Sequence, residues 1–386
     1  MKRIHFYTGL IFMIINLSDA KDRKMDSINI LPVKSCKIDF HKIVYSIFPL
    51  ISPQTFGLIC CNKGDEPLLY IVTLHNSKLE LNVFGDKKFE PYDDMGLNQC
   101  NQRELILNGR RILTHLDLEK EKMSVEYWGV GDVLLNNYQK AKVIDSDKKL
   151  VLTVFDPLYD EKYEHVINNT YVLTIEDLIN KKRIKQIPIS TLSGEYKSAT
   201  NSDLGCIPDV FFGDDFTIYR ENERYNWLCV DNSLNQIEHP LLKLLNDNGA
   251  LFLNRTTSLV ISQKNGYAVA LYSSGKQNSL SVLAWNNQPS IIPVNLKTNI
   301  LPSGYDYSMS PSGHWVFFET GKNSGNYLIY LDNKLPGCHL PPMRLDYDGY
   351  VEKVTWITSP EGLVVYNDHA FHYWNLADFD VSKLSR

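Results

Sequence analysis

The sequence predicts an all-β protein, a seven-bladed β-propeller built from four-stranded antiparallel blades, and three observations predict it. The first is the stretch Tyr305–Asp332, where a strand-like run ends at the turn Ser310-Pro311-Ser312-Gly313 and is followed by His314–Glu319 and Asn326–Asp332, both rich in aromatic and β-branched residues. The second is recurrence, because the same turn-plus-strand unit returns along the chain, and the last three turn glycines, Gly266, Gly313 and Gly362, lie 47 and 49 residues apart. That spacing is the period of a four-stranded blade. The third is composition: 386 residues, 44% hydrophobic and 11% aromatic, describe a globular chain with a large core.

Taken in order, the turns precede Leu58–Cys60, Ile112 and Leu113, Leu150–Phe155, Phe216–Tyr219, Tyr267–Tyr272, His314–Glu319 and Leu363–Tyr366. Each is followed by a second apolar run ending near an acidic or amide residue: Leu68–Leu74, Ser124–Trp128, Tyr171–Asp177, Trp227–Asp231, Leu280–Asn286, Tyr327–Asp332 and Phe371–Asn375. Alternation within these runs suits half-buried antiparallel strands. A fourth run follows at Leu79–Phe84, Arg183–Ile189 and Ile291–Leu296. The strands next to the channel are expected near 43–48, 103–107, 140–145, 206–212, 257–262, 304–309 and 352–357.

Ser-Pro-Ser-Gly, an apolar run, a polar loop and Tyr-Leu-Ile-Tyr-Leu-Asp resemble the WD40-like repeat of TolB-type β-propellers. The resemblance covers 304–332 best, then 352–376 and 258–286, and implies a fold without an activity.

Two segments break the period. His239–Asp247 has helical spacing, with Pro240 in the first turn and Gly249 placed to end it. Leu158–Asn169 is a polar loop with a sequon at Asn168-Asn169-Thr170. A ring must also close, since an open blade leaves unpaired edges. The strand-like segment Asp26–Val33 is expected to pair with 369–375 and complete the seventh blade.

The N-terminus reads as a signal peptide over residues 1–20: Lys2 and Arg3, the apolar run Phe6–Leu17, then Ser18-Asp19-Ala20. The expectation is an exported protein, periplasmic or extracellular, whose single domain covers 21–386; translation from Met25 would instead give a cytoplasmic one. The apolar run is too short for an integral membrane span. Seven cysteines without Cys-x-x-Cys spacing signal neither zinc nor a redox motif. Cys60 and Cys61 suit two buried apolar positions, and a disulfide from Cys36 or Cys100 to one of them is open to an exported chain.

A net charge of −5 with no basic block argues against a nucleic-acid partner. No Gly-rich phosphate loop, nucleophile elbow or His-Glu-x-x-His is present, so no catalytic residue, metal ligand or cofactor is assigned. His369 and His372 would face opposite sides of a strand, Asp346–Gly349 with Glu352 is an incomplete calcium loop, and Cys338-His339 reads as a connector. Two classes of function remain. The first is a non-catalytic binding scaffold that takes a protein or glycan partner on its loops and central funnel; the second is a propeller hydrolase or lyase with its site at the funnel mouth. For the first, Tyr305, Asp306, Tyr307 and Trp356 are expected near one rim, as rings bury contact area at little entropic cost.

Overall fold

The computed structural model describes residues 35–50, 52–75, 78–88, 96–99, 104–108, 113–117, 120, 122–127, 138–145, 147–148, 150–155, 159–160, 165–166, 170–191, 210–221, 226–248, 257–262, 266–273, 278–285, 289–293, 307–319, 325–331, 343–347, 351–367 and 369–379. Among them are six four-stranded antiparallel sheets and one three-stranded sheet, numbered here in chain order, and a two-stranded ribbon of Tyr159–Asp160 with His165–Val166.

Sheet 1 holds Ile43–Pro49, Thr55–Cys61, Leu68–His75 and Lys78–Lys88, and sheet 2 holds Gly96–Gln99, Glu104–Asn108, Leu113–Asp117 and Lys122–Tyr127. Sheet 3 holds Tyr138–Asp145, Leu150–Phe155, Thr170–Asp177 and Lys182–Thr191, and sheet 4 only Val210–Phe212, Phe216–Glu221 and Asn226–Asp231. Sheet 5 holds Thr257–Ser262, Tyr267–Ser273, Asn278–Ala284 and Ser290–Pro293; sheet 6 holds Tyr307–Met309, Trp315–Glu319, Asn326–Tyr330 and Met343–Arg344. Sheet 7 takes Lys353–Ile357, Gly362–Asn367 and Ala370–Asn375 from the end of the chain and Cys36–Asp39 from its start. Within sheets 1 to 6 strands are ordered as they occur in sequence, the meander of a propeller blade, and in sheet 7 the strand from the start of the chain takes the outer place beside Ala370–Asn375.

The apolar cores lie between sheets. Phe56, Leu58 and Tyr70 of sheet 1 pack on Val364, Tyr366 and Phe371 of sheet 7, and Ile59 and Leu69 share a cluster with Leu116 of sheet 2. Leu152 and Leu173 meet Tyr219 and Val230 across the 3–4 seam, and Trp227 meets Ala268 and Leu283 across the 4–5 seam. Val269 and Val282 meet Phe318 and Ile329 across the 5–6 seam, and Trp315 and Phe317 meet Leu363 and Trp374 across the 6–7 seam. First strands of sheets 2 and 3 also touch. A second strand is therefore sandwiched on both faces: Thr55–Cys61, Trp315–Glu319 and Gly362–Asn367 are buried at every residue. Such strands read as continuous apolar runs, which is why the alternation expected of half-buried strands is weak in them.

The turn motif joins neighbouring sheets. Ser312 donates through its backbone N–H (3.1 Å) and hydroxyl (2.9 Å) to the two carboxylate oxygens of Glu361, its counterpart region in the next sheet. The Tyr267 hydroxyl donates to the Gly313 carbonyl, and Gln54 N–H donates to the Thr358 carbonyl at 2.9 Å, linking sheets 1 and 7. Gly266 and Gly313 hold the left-handed φ values of 67° and 75° that their turns require. Gly362 is needed for another reason, since a Cβ there would collide with the Tyr373 ring.

Four expectations are corrected. Closure is made by Cys36–Asp39, whose residues pair one to one with Tyr373, His372, Phe371 and Ala370. That edge is thus occupied, and Asp26–Val33 lies outside the described residues. In sheet 2 the first strand is Gly96–Gln99, so 104–108 is the second strand and Ser124–Tyr127 belongs to the fourth. Among the described residues sheet 4 has three strands, and beside its edge strand lies a helix, Pro240–Asp247, with His239 accepting from Leu241 N–H at its start and Asn248 at its end. Cys36, Cys60 and Cys61 are free thiols, so neither disulfide to the Cys60-Cys61 pair forms. Burial pushes the Cys60 and Cys229 thiols up to about 12, which leaves both inert at neutral pH.

Candidate functional site

Of the four residues expected at one rim, Tyr305 and Asp306 lie outside the described residues, and of Tyr307 the strand position alone is described, opposite Phe318. Trp356 is 3% exposed and packs with Trp315, Leu363 and Trp374. Its indole N–H donates to the Ser308 hydroxyl at 3.0 Å. The structure therefore brings Trp356 to the residue beside Tyr307, as a ring that ties the first strands of sheets 6 and 7 together. The bond to Ser308 depends on tertiary packing, and no local pattern in the sequence signals it.

A concavity among the described residues sits elsewhere, beside the edge strand of sheet 4. A shallow pocket of about 660 Å³ is lined by Asn226, Trp227 and Leu228 of the edge strand, Gln236, Ile237 and Glu238 of the following turn, and Leu242 and Asn246 of the helix. The helix forms here because Leu241, Leu244 and Leu245 fall on one face and are buried against the 4–5 seam. The exposed edge is guarded by side chain and turn. Asn246 accepts from Trp227 N–H and donates to Trp227 C=O, both at 3.0 Å, so its amide stands where a fourth strand's peptide group would. Further along, Ile237 N–H donates to Cys229 C=O and Asp231 N–H to Asn235 C=O, each at 2.9 Å. The pocket thus offers apolar walls with amide and carboxylate groups at its rim, a lining suited to a polar chain segment or sugar edge. Asn246→Ala should cost about 1 kcal/mol and promote association through the freed edge. Asn246→Asp, which keeps only the acceptor, should fall between; chemical denaturation with light scattering reads both.

Two sequence features flagged separately meet at the closing strand. Ser35 donates to Asp346 Oδ2 through its backbone N–H at 2.8 Å and its hydroxyl at 3.3 Å, and its hydroxyl also lies 3.3 Å from His372 Nδ1. The Tyr347 ring lies 4.5 Å from the His372 ring. Serine, histidine and aspartate are present, yet the carboxylate binds the serine, whereas an activated nucleophile needs it on the histidine's far nitrogen. The arrangement is a latch on the start of the closing strand. His369 is exposed and separate from it.

A second polar seam joins sheets 3 and 4. Lys142 Nζ donates to Asn232 Oδ1 at 2.9 Å, and Asn232 donates to the Asp214 carbonyl at 3.1 Å. Burial lowers the Lys142 amine to about 8, partly offset by Asp214 and Asp215. Aspartates that end strands close the turns after them. Asp177 accepts from Asn180 N–H (2.9 Å) and its side-chain amide (2.7 Å), which hold its carboxyl below the usual range. Burial raises the Asp231 carboxyl, but the Asn235 and Ser233 donors outweigh that and leave it lowered too. A depressed carboxylate stabilises the fold above the unfolded value of about 3.9 and loses that contribution as pH falls through the folded value. Melting temperature should accordingly drop below about pH 4, and Asp177→Asn should flatten that acid limb. Among the described residues no three His, Cys, Asp or Glu groups converge as metal ligands, and no helix is long and apolar enough to cross a membrane.

No protein-family model matches the chain, and no curated protein does. Among solved structures it is similar to Kuenenia stuttgartiensis hydrazine synthase, at 10% identity over 89% of this chain and 97% of that one, with a TM-score of 0.49. It is likewise similar to Hsv2 of Kluyvelomyces marxianus, at 10% identity over 85% and 90% of the two chains, with a TM-score of 0.48. Likeness at that level carries no argument about activity or partner.

Proposed function

We propose that the chain is a seven-bladed β-propeller of the WD40-like, TolB-type style, acting as a non-catalytic scaffold that recognises a protein or glycan partner. The observation that carries this reading is where the polar chemistry of the repeated turns is spent. Ser312, Glu361, Gly313 and Thr358 bond turn to turn between sheets, and Asp177 and Asp231 bond within their own turns. These groups make a rigid frame, and a rigid frame leaves recognition to loops and rims. The rim around Tyr305, Asp306 and Tyr307 is the first candidate; Trp356, also expected there, is buried and donates to Ser308, the residue after Tyr307.

The test is affinity capture from the native source with the parent and with Tyr305→Ala/Tyr307→Ala, each checked for melting. Lost capture with unchanged melting supports the rim; lower melting with capture retained shows that the rings are structural. Export belongs to the same proposal: residues 1–20 act as a signal peptide, and the mature chain begins at Lys21. Full-length protein recovered from cytosol with Met1 in place would overturn export. The inert Cys60 and Cys229 thiols are compatible with an oxidising compartment.

A further inference from the structure

Large apolar side chains exposed among the described residues are Ile43, Val83, Ile179 and Ile184, and the two most exposed, Ile179 at 55% and Ile184 at 50%, share one hairpin. This hairpin joins the third and fourth strands of sheet 3 through residues 178–181. Leu178, fully buried, anchors it, and the Asp177–Asn180 clamp stiffens it, so Ile179 is held outward on a fixed turn. Ile184 stands out for a different reason: the register shifts between Ile175 and Glu176, and the bulge leaves Ile184 without an opposite residue. Lys181 and Lys182 are exposed beside them. The hairpin's acidic groups are used inward, Glu176 by Arg183 at 2.7 Å and Asp177 by Asn180. What faces solvent is apolar and positive, on a chain whose net charge is −5.

We propose that this hairpin docks on an anionic lipid surface, Ile179 and Ile184 entering the headgroup boundary while Lys181 and Lys182 meet acidic headgroups. A convex tip fits a flat interface, whereas a protein cleft would have to be shaped around it. Isoleucine beside lysine is the pairing that such an interface rewards, through buried apolar area plus attraction to negative charge. A hairpin this small gives weak, reversible binding, which adds to partner recognition at the rim and does not depend on it.

Sedimentation of the protein with phosphatidylcholine vesicles, with and without phosphatidylserine, tests the proposal. Binding should require phosphatidylserine, weaken with added salt, and fall at least about thirtyfold in Lys181→Glu/Lys182→Glu, since each lysine near such a surface contributes about a fivefold step. Ile179→Ser should weaken binding while keeping the phosphatidylserine dependence, and both variants should melt like the parent. Equal sedimentation with either vesicle, or variants that bind as the parent does, would overturn the lipid surface. So would retention on heparin resin without vesicle binding, which would point to an anionic polysaccharide.

Discussion

A chain that begins at Ser35 should melt with the parent, and one that begins at His41 should lose several kcal/mol and associate. The difference is Cys36–Asp39, which pairs residue for residue with Ala370–Tyr373 and is the outermost strand of sheet 7. Without it the strand Ala370–Asn375 presents an unpaired edge, a template for another chain. Phe40 is lost as well. Its ring lies 5.0 Å from that of Phe371, which in turn lies 5.6 Å from Phe56 of sheet 1, so one aromatic column spans the junction between the last sheet and the first. Truncating such a ring costs about 3–5 kcal/mol on its own. Phe40→Ala separates the two effects, because it removes the column and keeps the strand. Thermal melting with size-exclusion chromatography decides it, and a His41 start that stays monomeric with the parent's melting temperature would remove Cys36–Asp39 from closure.

Most of the strands were legible in the sequence because their turns are. Ser310–Gly313 and Ser359–Gly362 announce a reversal through Pro and Gly, and the apolar run after each is long enough to be unambiguous. The closing strand escaped notice for the opposite reason. Cys-Lys-Ile-Asp alternates half-buried and exposed positions, so it carries little apolar signal and is shorter than the segment preferred over it. In sheet 2 the Asn108-Gly109 pair led to an offset of one strand, since turn chemistry marks a reversal without saying which reversal in the sheet it is.

The candidate sites divide in the same way. Helix Pro240–Asp247 was legible from its leucine spacing and N-terminal proline, but its work was not. That Asn246 should sit against Trp227 follows from tertiary placement, and nothing in local sequence distinguishes this asparagine from any polar helix residue. Asp346 and His372 belong to separate acidic and histidine motifs in the sequence; Ser35, which joins them, stands 311 and 337 positions away from them. Trp356 was expected near the rim, and its ring is buried, packed with Trp315, Leu363 and Trp374.

Arg183→Met alone should destabilise the protein by about 3–5 kcal/mol, whereas Arg183→Met/Glu176→Leu should recover most of that loss. Glu176 is 0% exposed on sheet 3, where its carboxylate accepts from Arg183 Nε at 2.7 Å and from the Thr174 hydroxyl at 2.9 Å. Removing the guanidinium leaves a buried carboxylate without its cation, so its desolvation is no longer offset by that charge. Removing both charges leaves apolar side chains of similar volume in place of the buried ion pair. Denaturant titrations of the parent, both single variants and the double variant complete the cycle. Additive losses would show that the pair does not act as a unit. A coupling of several kcal/mol would show that the charges are retained at this hairpin for the conformation they specify, with Arg183 turned inward between Lys182 and Ile184, both of which face solvent.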